Sequence, residues 1–416
     1  MKLIITFKDI LKTRTSSSFN FNSKVFHSLT GKYFLNFTYS FICYINISHM
    51  FHNLSALNEN SKGRLFPIDE DHRLPYERDR DRIYHSTAFR KLKDKTQVFM
   101  FEKGDYYRNR LTHTLEVSQI ARSVSRRFSL NEDLAECIAL CHDLGHSPFG
   151  HVGEDIISQE IDQNFNHNFQ SYRQVTLLEK KYISYEGLNL TWETLDGLIK
   201  HNGKIVETSF NYDLSNNFSF NLNKNPSLEA QIASLSDDIA YIAHDFDDGL
   251  RAEILDIKKI ANLSSLFDFI DFEYMQTLDK KVARNYFTRS TINFFVKELI
   301  AQTEQNLKNN SLKVYQDVIN QENFLVSFSP KTLNKINLIK KYLYENFYTS
   351  NFVYQSRTKA EQILLFIIKF LEKDQTPLPN TWRSKIQDED SKKQIIVDYI
   401  CGMTDQYAIN FYNHYA

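Results

Sequence analysis

The chain has 416 residues, 42% of them hydrophobic, and a formal net charge of −1. That length suits two or three packed units, or one large core with appended helices, and the near-neutral charge excludes global attraction to nucleic acid, so any polyanion must be held by a local cluster of Lys and Arg. Only 11 Gly and 7 Pro leave little material for hairpin turns, which predicts a mostly helical, all-α fold.

Residues 33–51 are rich in Phe, Tyr and Ile but are broken by Asn36, Thr38, Ser40, Asn46 and Ser48. This is too polar for a membrane span, and no basic start, apolar run and small-residue cleavage site follow one another as in a secretory signal. Residues 1–60 are therefore expected to be an extension of unassigned role. Three readings stay open: an over-extended reading frame with Met50 as the true start, an ordered helical extension, or a weakly membrane-associating segment.

From residue 69 to 95 charges alternate densely, and Arg73, Arg78, Arg80, Arg82, Arg90, Lys91, Lys93 and Lys95 outnumber the acids. Such a run is usually a solvated helix face. The spacing of Val117, Ile120, Ala121, Val124 and Phe128 predicts a helix over 111–128, with His113 on its inward stripe. A second helix carries Leu134, Cys137, Ile138 and Cys141, ends near Gly145 and is stopped by Ser147 and Pro148. The four cysteines, Cys43, Cys137, Cys141 and Cys401, lack paired spacing and read as core thiols in a reducing compartment.

Between 183 and 227 an Asn-, Ser- and Phe-rich stretch reads as a loop-bearing insert around one helix at 192–200. A strong helix resumes after Ser227, with Ile232, Leu235, Ile239, Ile242 and Phe246 as its apolar stripe and Asp237, Tyr241, Asp245 and Asp248 together on the other side. That other side is either simply water-facing or the wall of a cleft. Beyond about residue 271 follow amphipathic, Lys-rich helices ending in 399–412.

The chemistry concentrates in 142–154, where His142, Asp143, His146, His151 and Glu154 lie between the end of one apolar helix and the start of another. Adjacent imidazole and carboxylate suit Mn, Fe, Co, Ni or Zn, with Mg less favoured by nitrogen. A lone buried His such as His113 is more often a satisfied core residue, and its company is what argues otherwise. Asp237 would complete a two-His, two-Asp site with positions open to water and phosphate oxygens.

The order His, His-Asp, Asp resembles the HD superfamily. Segments 76–85, 89–99, 110–117, 142–154, 167–173, 187–191, 229–245 and 398–408 are similar to its deoxynucleoside triphosphate triphosphohydrolases, so the likeness runs from about Phe66 to the C-terminus. It implies an HD-domain helical core over 61–270 and an appended C-terminal helical domain over 271–416. It further implies cleavage of a dNTP to deoxynucleoside and inorganic triphosphate with a divalent metal, Mn or Mg in the first place, with Fe, Co, Ni or Zn as alternatives. By matching position, His113, His142, Asp143 and Asp237 are the implied metal ligands and His151 and Glu154 the catalytic pair. Arg110, His146 and His167 match phosphate contacts, and Gln97, Tyr241 and Asp245 match contacts to sugar or base.

The same resemblance implies a homo-oligomer, a hexamer or tetramer, an activator dNTP, and a cytoplasmic role in deoxynucleotide supply without a stable membrane span. Two rivals stand beside it. One is another HD-type phosphodiesterase or nuclease. The other is a regulatory module binding nucleotides or single-stranded nucleic acid through 73–95, which also stands as a secondary property of an enzyme. Residues 1–60 and 207–225 have no counterpart in the family pattern.

Overall fold

A computed structural model describes residues 51–69, 71–98, 107–205 and 218–416. The expectations for the N-terminal extension through residue 50, and for most of the Asn- and Phe-rich stretch at 207–225, fall outside them. The fold is all-α: seventeen α-helices and no strand among the described residues, with isolated bridges at Arg64–Thr191 and Thr96–Asn109.

Helices α1 (Pro75–Tyr84) and α2 (Thr87–Lys91) lead to α3 (Arg110–Arg127), which starts where the Asn109 side chain accepts from the Thr112 amide. The predicted stripe of α3 is buried throughout. Each large aliphatic or aromatic side chain so placed contributes roughly 1.5–3 kcal/mol. Helix α4 (Glu132–Cys141) is capped by Asn131 and buries Cys137 and Cys141 as free thiols. Short helices α5 (His151–Glu160), α6 (His167–Arg173) and α7 (Trp192–Ile199) follow, the last inside the segment read as an insert. Helix α8 (Leu228–Arg251) begins at the Ser227 cap and packs against α3 and α4.

The expectation of a solvated charge run holds for Arg90 and Lys93, which are exposed, but not throughout. Arg78, Asp79, Arg82 and Lys95 are buried. Arg64 pairs with Asp79, Arg82 donates to the carbonyls of Leu188 and Asn189, and Arg78 to that of Asp69. The charges tie α1 to the segment before α7, because a buried guanidinium needs several acceptors. The water-facing reading of one side of α8 fails as well: Asp245 and Asp248 are buried, and Asp237 and Tyr241 are half-buried.

The chain continues through α9 (Ile257–Ala261), α10 (Phe272–Gln276), α11 (Lys280–Asn309), α12 (Tyr315–Ile319) and α13 (Pro330–Leu343). Helices α11 and α13 cover the far side of α8, which is why its acids are enclosed. Then come α14 (Asn351–Lys373), α15 (Asn380–Arg383), α16 (Glu389–Cys401) and α17 (Asp405–Tyr415). The terminal 399–412 stretch is broken at Gly402–Thr404, where Thr404 caps a new helix. Residues of α14, α16 and α17 form one hydrophobic cluster with Phe149, Ile156, Ile157 and Phe165, so the C-terminal helices brace the loop after α4. Among the described residues no helix is long and apolar enough to cross a membrane.

Candidate metal and phosphate site

Helix α3 places Arg110, His113 and Glu116 at three-residue intervals, on neighbouring parts of one face. Helix α4 stops at the residues that carry the chemistry. His142 caps it with Nδ1 donating to the Ala139 carbonyl at 2.6 Å, and the following turn lies directly on α6. The Gly145 amide donates to Ser171 Oγ at 2.8 Å, and that hydroxyl donates to the His142 carbonyl at 2.8 Å. A Cβ at Gly145 would stand 2.1 Å from the Ser171 nitrogen, so only glycine permits this approach. Phe149 and Gly150 both adopt φ of 62° before α5. The turn is held from the far end of the chain: Asp405 accepts from the Phe149 amide at 2.9 Å and from the Thr96 amide at 2.8 Å.

His113, His142 and Asp237 bring one ligand atom each within 4.8 Å of one another. His113 Nε2 is 2.9 Å and His142 Nε2 3.7 Å from Asp237 Oδ1. Because His142 gives its Nδ1 hydrogen to a carbonyl, its Nε2 presents a lone pair; that atom is buried without a hydrogen-bond partner among the described residues. A lone pair and carboxylate oxygens facing a common centre are a donor set that fits a divalent metal. Burial opposes ionisation of Asp237, yet the neighbouring His142, with hydrogen bonds from His113 and His201, holds its carboxyl well below the usual range. Burial also pushes His142 down.

Asp143 stands beside this group and turns partly from it. Its Oδ1 is 3.4 Å from His142 Nε2 and 2.9 Å from His146 Nδ1, while its Oδ2 forms an ion pair with Arg110 Nη1 at 2.9 Å. Burial raises the Asp143 carboxyl, but the Arg110 charge and the two histidines outweigh it and keep it well below its ordinary value. The Nε and Nη2 atoms of Arg110 and Nε2 of His146 are buried and make no hydrogen bond among the described residues. Three such polar atoms at one place can take a polar ligand or ordered water.

His146, His151 and Glu154 form a second group within 4.8 Å. Glu154 divides itself between two rings. His151 Nδ1 lies 3.5 Å from Oε2, whereas His167 meets both carboxylate oxygens at 3.0 Å with Nδ1 and one of them at 3.1 Å with its amide. The His167 ring stacks on His146 at 4.0 Å, and the His151 side chain is 63% exposed. Burial works against it, but hydrogen bonds from His151 and His167 hold the Glu154 carboxyl far below its usual value.

Along α8, Tyr241 and Asp245 follow Asp237 at four-residue intervals. Tyr348, in a π-helical turn over Tyr344–Tyr348, donates to Asp245, shares a hydrogen bond with the Tyr241 hydroxyl and lies nearly parallel to the Tyr241 ring. Burial, then Asp248, raises the Asp245 carboxyl well above its normal range. Asp248 itself is engaged by Arg108 at 3.3 Å, away from the ligand group. Gln97 comes next to the Gly150 turn through its backbone carbonyl, and its side-chain oxygen is buried without a partner among the described residues.

Four residues around the site are absent from the sequence reading: His201, His244, Glu116 and Tyr348. His201 Nε2 is 3.5 Å from Asp237 Oδ2 and its ring stacks on His142 at 5.2 Å. His244 Nδ1 is 3.2 Å from His113 Nδ1, and the Glu116 carboxylate contacts Nε2 of His244. Burial lowers the His244 ring to about 4 against the opposing pull of Glu116. For His244 a signal existed, since it is seven residues after Asp237 and so on the same helical stripe; Glu116 is likewise one turn beyond His113. His201 and Tyr348 come from a loop and a π-turn, which carry no period to read.

Residues 110–242 match the HD domain and residues 326–414 match the phosphohydrolase-associated domain. Together with the helical core and its His/Asp centre, this defines an HD-domain hydrolase of the phosphohydrolase class. The chain is 42% identical over 365 residues to a deoxyguanosinetriphosphate triphosphohydrolase-like protein of Rickettsia typhi, covering 85% of this chain and 94% of that one. It is 42% identical to the protein of that name in Rickettsia prowazekii, again over 85% and 94%, and 41% identical to the one in Brucella ovis, over 84% and 91%. The chain belongs to the deoxyguanosinetriphosphate triphosphohydrolase-like family.

Proposed function

We propose that the chain hydrolyses deoxynucleoside triphosphates to deoxynucleoside and inorganic triphosphate, with His113, His142, Asp143 and Asp237 holding Mn or Mg. The observation that carries the reading is the set of unused donors on Arg110, with Nη1 on Asp143 and Nε and Nη2 free to take phosphate oxygens beside the ligand group. A bound divalent metal would polarise an α-phosphate oxygen and organise the attacking water. Arg110 then neutralises charge on the polyphosphate, and His146 and His167 bound the same space. His151, the exposed ring of its cluster, delivers a proton to the leaving 5′-oxygen, while Glu154 orients the rings beside it. A rival assignment has His151 assist formation of the nucleophile.

Tyr241 offers a ring to the sugar and base, and Asp245 and Gln97 offer polar contacts to them. Tyr348 joins this wall through its hydrogen bonds to Tyr241 and Asp245. The resemblance to triphosphohydrolases supports the remaining parts of the proposal: a cytoplasmic role in deoxynucleotide supply, a hexamer or tetramer with an activator dNTP, and a division into a catalytic part over 61–270 and a helical part over 271–416. Single-stranded nucleic acid is kept as a secondary partner, although the burial of Arg78, Arg82 and Lys95 leaves fewer free cations on 73–95 for it.

The test is purified protein with Mn and each dNTP in turn, with products separated by chromatography. Deoxynucleoside together with triphosphate is the expected pair. Release of diphosphate or monophosphate would sink the triphosphohydrolase assignment and favour another HD-type phosphodiesterase.

A further inference from the structure

Helix α6 has seven residues, too few to be stable by itself, so its place is set by what its side chains hold. Ser171 is wholly buried and uses both capacities of its hydroxyl: it accepts from the Gly145 amide and donates to the His142 carbonyl, each at 2.8 Å. One side chain thus closes both ends of the turn over 142–145, which carries His142 and Asp143. The positions on either side of it reach towards the C-terminal helices. Gln170 Nε2 donates to Asp398 Oδ1 at 2.9 Å, and Arg173 grips both oxygens of Asp398, with Nε on Oδ1 at 3.0 Å and Nη2 on Oδ2 at 2.6 Å. Gln394, one turn earlier in α16, donates to the same Oδ1 at 3.0 Å. Paired guanidinium bonds to a buried carboxylate are strong and directional, so Asp398 fixes the rotation of α6 as well as its position.

We infer that Asp398 is a positioning residue for the metal centre, acting through α6: Gln170 and Arg173 hold the helix on Asp398, and Ser171 passes that placement to the turn that bears two of the ligands. Asp398 opens the segment 398–408, which resembles the triphosphohydrolases yet supplies neither a ligand nor a proton carrier. A role confined to stability would make Asp398 one more buried ion pair, whose loss leaves the metal affinity of the folded protein as it was. A positioning role makes Asp398 and Ser171 two links of one chain, so that cutting either loosens the same turn. The inference rests on the reading of His142 and Asp143 as ligands, and the test separates the two.

Chelator-stripped full-length protein is titrated with Mn²⁺ and free Mn²⁺ is followed by electron paramagnetic resonance, at a temperature where metal-free unfolding curves show each variant folded. Ser171→Ala is expected to bind Mn²⁺ roughly tenfold to hundredfold more weakly than wild type, the range for loss of a group that orients ligands. Asp398→Ala is expected to lose affinity over roughly the same range. The double variant is expected to bind within about threefold of the weaker single one, because losses along one chain do not add. Asp398→Asn keeps an oxygen for Gln170 and gives up the charge that Arg173 pairs with. It takes the place of Asp398→Ala in the cycle if that variant does not fold, with a loss of about tenfold expected. Wild-type affinity in folded Ser171→Ala or in the folded Asp398 variant, or losses that multiply in the double variant, overturns the inference while leaving the metal centre standing. If wild type takes up no Mn²⁺, or Asp237→Ala binds it equally well, the metal reading falls and takes the positioning role with it.

Discussion

Arg110 holds Asp143 with one nitrogen and keeps two in reserve: Nη1 meets Oδ2 at 2.9 Å, and Nε and Nη2 make no hydrogen bond among the described residues. The pair thereby links the ligand group to the space where phosphate would bind. Arg110→Lys keeps a cation for Asp143 but loses the planar fork. Hydrogen bonds to charged groups contribute about 1.5–3 kcal/mol, so kcat/KM for a dNTP should fall roughly tenfold to more than a hundredfold. Steady-state kinetics of the variant check this, with unchanged kcat/KM as the refuting result.

His151 can be removed without disturbing packing, since 63% of its side chain is exposed. His151→Ala should lower kcat about 10²- to 10⁴-fold, the usual contribution of a positioned proton donor. Mn²⁺ affinity and thermal stability should stay as in wild type. Wild-type turnover would remove the proton-transfer role, and loss of Mn²⁺ would reassign the residue to the metal.

Removal of metal should lower stability as well as activity, because a cation that binds only the folded site adds to its stability. At a Mn²⁺ concentration about 100 times its dissociation constant the gain is roughly 2.7 kcal/mol. Differential scanning fluorimetry should show the unfolding midpoint rise on adding Mn²⁺ to stripped wild type. It should show no rise for Asp237→Ala, and an equal rise in both would exclude Asp237 as a ligand.

Lys95 gives a pH signature of stability. It is buried and donates to the carbonyls of His146 and Cys401 at 2.5 and 2.7 Å, and burial, with Cys401 and Asp405 opposing, lowers its amine from 10.5 to about 8. Between pH 8 and 10.5 the unfolded chain binds more protons than the folded one, so folding gains as pH rises through this window, by up to roughly 3 kcal/mol. A neutral amine still has two hydrogens for the two carbonyls. Urea unfolding at pH 7.5 to 10 should therefore show wild type gaining on Lys95→Met as pH rises; a constant gap contradicts the assignment.

The Gly145 contact predicts a steep local penalty. Gly145→Ala would set a methyl 2.1 Å from the Ser171 nitrogen, where backbone cannot yield cheaply. Destabilisation of about 1–3 kcal/mol or more is expected from overpacking, with loss of Mn²⁺ binding as the His142 turn lifts off α6. Unfolding curves that coincide with wild type would refute it.

Much of this arrangement was legible in the sequence. The stripes of α3 and α4 gave the helices because a 3.6-residue period survives in any buried amphipathic face, and His113 could be seen to lie on the inward side. The density of histidines in 142–154 pointed to the site because packing alone rarely calls for so many. What stayed hidden depended on distant partners. The burial of Arg82 depends on carbonyls before α7, that of Arg78 on the Asp69 carbonyl, and the enclosure of Asp247 on Arg284 of α11. His201 and Tyr348 reach the site from irregular backbone, where spacing says nothing about direction.

The Asp405 clamp has a consequence for the making of the protein. The turn that leads to His151 is tied by Asp405, at the start of α17, to Phe149 and Thr96. During synthesis every proposed ligand emerges well before the residue that fastens their loop. A ribosome-bound or truncated chain lacking its last helix would thus carry the full set of chemical groups without the frame that aligns them. Activity should then fall when the chain is cut before Asp405 although every proposed ligand is still present.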